Sequence, residues 1–216
     1  MYGAHPTPYK GLAGRISAAR VRAVLSFAAI EPSDHVLEVG CEGGNLLART
    51  PRSKMCVGTD ISGSALSDAA ILFKEREKQG LFIQADAQEP LPLKTESFDV
   101  IICSEMLEHV PDPALVLGNI RELAGSRSRI VVSIPIERPK VALKQALHRV
   151  GLLRRLAPGL EAEQSEWHLH AFSRRLLHSL AIEAGLRIEG TKNVLGFHWV
   201  AAFNSQASRR LGEADR

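Results

Sequence analysis

The stretch that decides the fold is His35-Val36-Leu37-Glu38-Val39-Gly40-Cys41-Glu42-Gly43-Gly44-Asn45-Leu46-Leu47. His35 to Val39 is apolar around one acid and reads as a buried strand; the glycines behind it form a turn, which the sequence predicts to open a helix. Without a Cβ, backbone passes close beneath a ligand, and the unpaired amides of a new helix offer donors to an anionic group. Twenty residues beyond Gly40, Val57-Gly58-Thr59-Asp60 puts an acid at the end of a second strand, where a carboxylate accepts both hydroxyls of a ribose. Alone, the turn is equally a plain strand-to-helix connection. Its spacing to Asp60 favours a nucleoside-containing ligand.

Outward from there the periodicity alternates. Short apolar runs at 35–39, 55–59, 81–85, 98–103 and 129–134 are separated by helix-like segments, the pattern of a parallel sheet covered on both faces. Ser62 or Ser64 caps the helix after the second run and Gly80 stops it; a second helix runs from Pro113 to Ala124 and stops at Gly125. Upstream, Ile16, Ala19, Ala23, Val24 and Phe27 share one face of a covering helix over 14–29. The alternation breaks after Pro135. Residues 136–172 form an excursion, followed by a helix from Arg174 to Ala184 and strand-like runs near 186–189 and 197–203. The division is a single domain over 1–204, with a core at 33–135, a lid or acceptor insertion at 136–172, a C-terminal helix and strands at 173–204, and a polar tail at 205–216.

Composition bounds the class. Of 216 residues, 45% are hydrophobic and 24% charged, enough to build a core and unlike a collagen, coiled-coil or disordered chain. Lys and Arg number 27 against 24 acids, and an excess of +3 does not by itself imply nucleic acid. No apolar run reaches the roughly 18 to 20 residues of a membrane span, and Met1 to Lys10 lacks a basic segment followed by an apolar one, so a cytoplasmic location is expected. Cys41, Cys56 and Cys103 show no Cys-x-x-Cys spacing and read as reduced, buried thiols rather than bridges or a zinc site.

Two further features lie at predicted strand ends. In Gln84-Ala85-Asp86-Ala87 an acid can accept from the exocyclic amine of adenine; the plainer alternative is a loop aspartate capping a turn. Phe98 to Cys103 is a buried strand that delivers Ser104-Glu105-Met106-Leu107-Glu108-His109-Val110 to its carboxyl end, the crevice where open α/β sheets bind ligands.

Taken in order, Leu37 to Gly44, Gly58-Thr59-Asp60, Gln84 to Ala87, Phe98 to Val110 and Val131 to Pro135 resemble the class I S-adenosylmethionine-dependent methyltransferases, within them the small-molecule group related to ubiquinone and menaquinone methyltransferases. The resemblance covers most of residues 30–135. It implies an enzyme with a Rossmann-like three-layer α/β sandwich, a seven-stranded, mostly parallel sheet whose last strand is antiparallel, and S-adenosylmethionine as cofactor. By the same resemblance, Glu38, Gly40, Cys41 and Gly44 shape the pocket for the methionine part, Asp60 holds the ribose, Ile61 packs on adenine, Asp86 and Ala87 receive its amine, and Cys103 and Ser104 line the space beside the reactive methyl. One position departs from the family's Glu/Asp-x-Gly-x-Gly-x-Gly: Glu42 stands at the second glycine.

Methyl transfer from a sulfonium releases a neutral leaving group, so the protein contributes mostly positioning and exclusion of water. A hydroxyl acceptor adds the need for a base. A phenol has a pKa of about 10 and an imidazole one near 6.5, which suits histidine to accept the proton. His109 is the first candidate and His168 the second, facing the acceptor across the cleft; as plain alternatives, His109 caps a short helix before Pro111 and His168 packs under the excursion. Glu105, Glu108 and His109, at i, i+3 and i+4, share a helical face that with His168 or His170 suits a divalent ion. Most of the wider family carries similar letters without one, so no metal is expected.

In the excursion, Arg138, Lys140, Lys144, Arg149, Arg154 and Arg155 lie alongside Leu143, Leu147, Val150 and Leu153. This basic amphipathic pattern fits the solvated face of a lid, a peripheral membrane contact over 138–155, or a grip on an anionic lipid or glycan. The expected function is methylation, on oxygen, of a small-molecule, lipid-linked or saccharide acceptor, by a monomer or homodimer with no nucleic-acid partner. One rival is an NAD(P)-dependent oxidoreductase, although Gly40-x-x-Gly43-Gly44 does not fit Gly-x-Gly-x-x-Gly. The other is a degenerate, non-catalytic cofactor-binding module, for which Glu42 speaks.

Overall fold

Seven strands, β1 (His35–Val39), β2 (Met55–Asp60), β3 (Leu81–Gln84), β4 (Phe98–Ser104), β5 (Ala124–Pro135), β6 (Leu186–Val194) and β7 (His198–Ser205), form one sheet in the order β3-β2-β1-β4-β5-β7-β6. The structure is a computed structural model, and it describes residues 11–136 and 168–205. Strands β1 to β5 run parallel, and β7 is antiparallel to β5 and β6.

Successive side chains of a strand point to opposite faces, and the core divides accordingly. Leu37, Val39, Ile101, Cys103, Ile130, Val132 and Ile134 pack with helices α3 (Pro113–Leu123) and α4 (Arg174–Glu183). The alternate residues Val36, Val100, Ile102 and Val131 pack with Val24 and Ala28 of α1 (Gly11–Ala28) and Phe73 of α2 (Gly63–Glu75). This is the three-layer sandwich that the sequence implies. Hydroxyl and carboxyl caps start the helices: Ser62 accepts from the Ala65 amide, Asp112 from Leu115 and Ser173 from Leu176.

Several local expectations are corrected. The glycine turn leads not into an α-helix but into a single 3-10 turn, Leu47–Arg49. The Leu47 amide is captured by the Glu38 carboxylate at 3.0 Å, and Pro51, which cannot continue a helix, follows the turn. Helix α2 stops at Glu75, not at Gly80, because Glu77 adopts a left-handed backbone (φ 51°) and Lys78 is tied to Phe73 O and Thr50 O. Strand β5 starts at Ala124, directly after α3, with a register shift opposite Phe98 and Val100 where Ser128 Oγ bonds the Phe98 carbonyl. Strands β6 and β7 run longer than their apolar cores and meet in a hairpin at Leu195 and Gly196, both left-handed. Residues 1–10, 137–167 and 206–216 lie outside the described residues, and with them most of the excursion, its basic face and the tail.

The carboxyl ends of the parallel strands, with the first residue of β7 beside the last of β5, form one edge. Gly44, at φ +70°, closes the glycine turn against α2; a Cβ there would lie 2.9 Å from Ala69 Cβ. Gly44→Ala is therefore expected to destabilise the fold by about 2 kcal/mol, combining a left-handed alanine with overpacking, measured as a lowered urea midpoint.

Candidate functional site

Strand β1 delivers the glycine turn to the edge. Its amides at Gly40 and Cys41 donate to the Thr59 carbonyl of β2 at 2.8 and 2.9 Å, stitching the turn to the neighbouring strand. Gly40 has φ +72°, and a Cβ there would fall 2.6 Å from Met106 Cγ, so only glycine lets the backbone pass over the β4 end. Glu42, where the family's second glycine stands, takes the left-handed conformation itself (φ 47°), and its amide donates to Asp60 Oδ2 at 2.8 Å. Asp60 Oδ1 accepts the Ser62 amide at 2.9 Å. The carboxylate is thereby fixed in orientation, and each oxygen keeps a lone pair for a guest's hydroxyl. Ile61 beside it is 49% exposed, an apolar side chain bare at the edge.

Glu38 lies beneath the turn, buried, with its Leu47 hydrogen bond. Burial pushes its carboxyl up to about 8, opposed by that hydrogen bond and by the Arg20 guanidinium. Burial likewise raises the Cys41 and Cys103 thiols, and all three cysteines are free and buried. The Cys41 and Cys103 thiols stay protonated. On the β3 side, Asp86 Oδ1 accepts the Gln88 amide at 2.9 Å, so the turn-capping alternative is realised there, next to Asp60, whose carbonyl accepts the Ala85 amide. The Ala87 carbonyl is clamped by Asn119 of α3 at 2.9 Å.

The β4 end carries a second cluster, part of which the sequence reading missed. Arg20 of α1 donates to Ser104 Oγ at 2.6 Å and lies 3.9 Å from Glu105 Oε1. The Ser104 and Ser133 hydroxyls are 2.8 Å apart, and Ser133 donates to Glu105 Oε1 at 3.1 Å. His198 Nε2 lies 3.0 Å from Glu105 Oε2. A signal for Arg20 was present: a cation three and four residues from Ala23, Val24 and Ile16, on the apolar face of α1.

Glu105 does not share a helical face with Glu108 and His109, correcting that expectation. Its backbone is left-handed (φ 56°) and ends the strand before the 3-10 turn Leu107–His109 begins, which turns its carboxylate toward Ser133 and His198. Glu108 and His109 instead meet His168. The His109 and His168 rings stand edge-on with centroids 4.9 Å apart, and His109 Nε2 is 4.0 Å from Glu108 Oε1. The returning chain is tied to this turn by the Leu169 amide to the Glu108 carbonyl at 2.8 Å and by His170 Nε2 to the Val110 carbonyl at 2.9 Å. One ligand atom each from Glu108, His109 and His168 lies within 4.8 Å of the others. Two imidazoles and a carboxylate at that separation fit a divalent ion, so the ion alternative keeps Glu108, His109 and His168 of its set and loses Glu105.

Over residues 13–190 the chain matches the family model of the methyltransferase domain. It belongs to that family. Relatives include the ubiquinone biosynthesis O-methyltransferases of Aeromonas salmonicida, 32% identical over 127 residues (57% of this chain, 52% of the relative), and Hahella chejuensis, 37% identical over 112 residues (50% and 46%). The chain thus spans about half the length of the curated relatives it matches. Among solved structures, a SAM-dependent methyltransferase from Aquifex aeolicus superposes with a TM-score of 0.63 at 15% identity, covering 84% of this chain and 87% of that one, which shows the shared fold. S-adenosylmethionine is the cofactor of the family. The Gly40 cradle, the oriented Asp60 carboxylate and the bare Ile61 fit its parts.

The raised Glu38 carboxyl has a sign that can be checked. Unfolded Glu38 loses its proton near pH 4.5 while the folded residue keeps it to about pH 8, so the cofactor-free fold loses stability across that window. Against Glu38→Gln, wild-type unfolding free energy is expected to fall with a slope on the order of 1 kcal/mol per pH unit between those limits, read from urea melts.

Proposed function

We propose that this chain transfers a methyl group from S-adenosylmethionine to a hydroxyl of a small-molecule acceptor. The observation that carries this reading is the division of the carboxyl edge. Above β1 and β2 lie the glycine turn and the oriented Asp60 carboxylate, and above β4 and β5 lie two polar groups, Ser104 with Glu105 and Ser133, and His109 with Glu108 and His168. The printed names of the relatives, O-methyltransferases, support oxygen as the nucleophile.

In this reading Asp60 accepts the ribose hydroxyls, Ile61 covers one face of the adenine, and Asp86 with the backbone at Ala87 meets its amine. Glu38, Gly40, Cys41 and Gly44 shape the methionine end. Arg20, reaching the same edge, supplies a cation for the carboxylate there. Cys103 and Ser104 flank the transferred methyl. His109 and His168 orient the acceptor oxygen. The protein's work is to align oxygen, methyl carbon and sulfur and to keep water out.

The convergence of Glu108, His109 and His168 favours a second element of the same reading, a divalent ion held by these three. Such an ion would polarise the acceptor hydroxyl and lower its pKa.

Calorimetry is expected to show cofactor binding weakened at least about tenfold by Asp60→Ala, on the order of 1.4 kcal/mol or more; wild-type affinity in that variant would argue against the site. Exhaustive chelation is expected to abolish transfer and added divalent metal to restore it. Full activity after chelation would remove the ion from the mechanism.

A further inference from the structure

We propose that His198, held by Glu105, is the group that takes the proton from the acceptor's hydroxyl. His198 is the first residue of β7 and pairs with Pro135, the last of β5, which places it on the acceptor half of the carboxyl edge, away from Asp60. It is 6% exposed. Its Nε2 faces Glu105 Oε2 at 3.0 Å, while its Nδ1 is buried and has no hydrogen-bond partner among the described residues.

With the proton on Nε2, toward the carboxylate, Nδ1 carries a bare lone pair. An acceptor atom shut away from water and given no donor costs the free energy of the missing bond, and such atoms in folded proteins call for an explanation. A donor arriving with a guest supplies one. Glu105 is suited to hold the ring. Its Oε1 accepts from Ser133 and lies near Arg20 while Oε2 faces the imidazole, and its left-handed backbone is a strained conformation retained at the site. A carboxylate, an imidazole and a free far nitrogen in this order form the arrangement in which the carboxylate sets the tautomer and stabilises the imidazolium.

This inference rests on the hydroxyl-acceptor reading. The oxygen attacks the methyl carbon, the carbon–sulfur bond breaks with its electron pair moving to sulfur, and the hydroxyl proton passes to Nδ1. The products are a methyl ether, a neutral thioether and an imidazolium facing Glu105, which returns its proton to water as the ether leaves. His109 is less suited to this step, because its ring is set against His168 and beside Glu108, an arrangement that holds rather than deprotonates.

Two measurements on the full chain test the proposal. In 15N-imidazole spectra of the protein loaded with S-adenosylhomocysteine, His198 is expected to carry its proton on Nε2, to lose that tautomer preference in Glu105→Gln, and to shift at Nδ1 when 4-nitrocatechol binds. A proton on Nδ1 in the loaded protein, or an Nδ1 signal indifferent to bound 4-nitrocatechol, overturns the proposal. In a transfer assay with 4-nitrocatechol and other simple phenols, His198→Phe is expected to lower kcat at least about 100-fold and Glu105→Gln to lower it less, both with cofactor affinity changed less than about twofold. Transfer that survives His198→Phe sinks this proposal alone, whereas a wild-type chain that methylates no hydroxyl sinks the reading beneath it.

Discussion

The backbone of Gly40 lies against Met106 so closely that no side chain fits between them, and this contact joins the two halves of the site. The glycine turn belongs to β1 and bonds to β2, while Met106 opens the turn that follows β4. Because the sheet order places β1 between β2 and β4, one close approach sets the spacing between the glycine turn with Asp60 and the polar groups at the end of β4. An in-line displacement is sensitive to that spacing, since reacting atoms must be held about 3 Å apart and aligned.

Around that contact the protein places carboxylates in unlike environments. Asp60 sits at the surface of the edge with two backbone amides on its oxygens, Glu38 is buried and favours its neutral form, and Glu105 is enclosed by Ser133 and His198 with Arg20 nearby. One functional group differs in character at the three positions because desolvation and hydrogen bonding differ at each. At Glu42 the backbone contributes: its amide holds Asp60 while its φ is one that glycine would adopt without strain.

The sheet was legible because its central strands are apolar on both faces, and the cap of α2 because Ser62 acts within three residues of its partner. Asp60 was legible from its distance to Gly40. Less accessible were features that depend on the fold's own long-range pairings. Arg20 meets Ser104 across 84 residues, and His198 occupies a strand position that reads as core. The separation of Glu105 from Glu108 and His109 turns on one left-handed residue, which residue spacing alone does not reveal. The β5 start was hidden by Gly125, Ser126 and Arg127, poor strand formers that fall in the irregular stretch between the Phe98–Ala124 and Val100–Arg129 pairings.

Arg20 also links the site to the docking of α1. The hydroxyl its guanidinium grips is on β4, 84 residues away, so the seat of the helix depends on the middle of the sheet. Any guest that engages Arg20 fastens α1 to the sheet in the same act, which makes occupancy of the crevice and docking of that helix a single thermodynamic event.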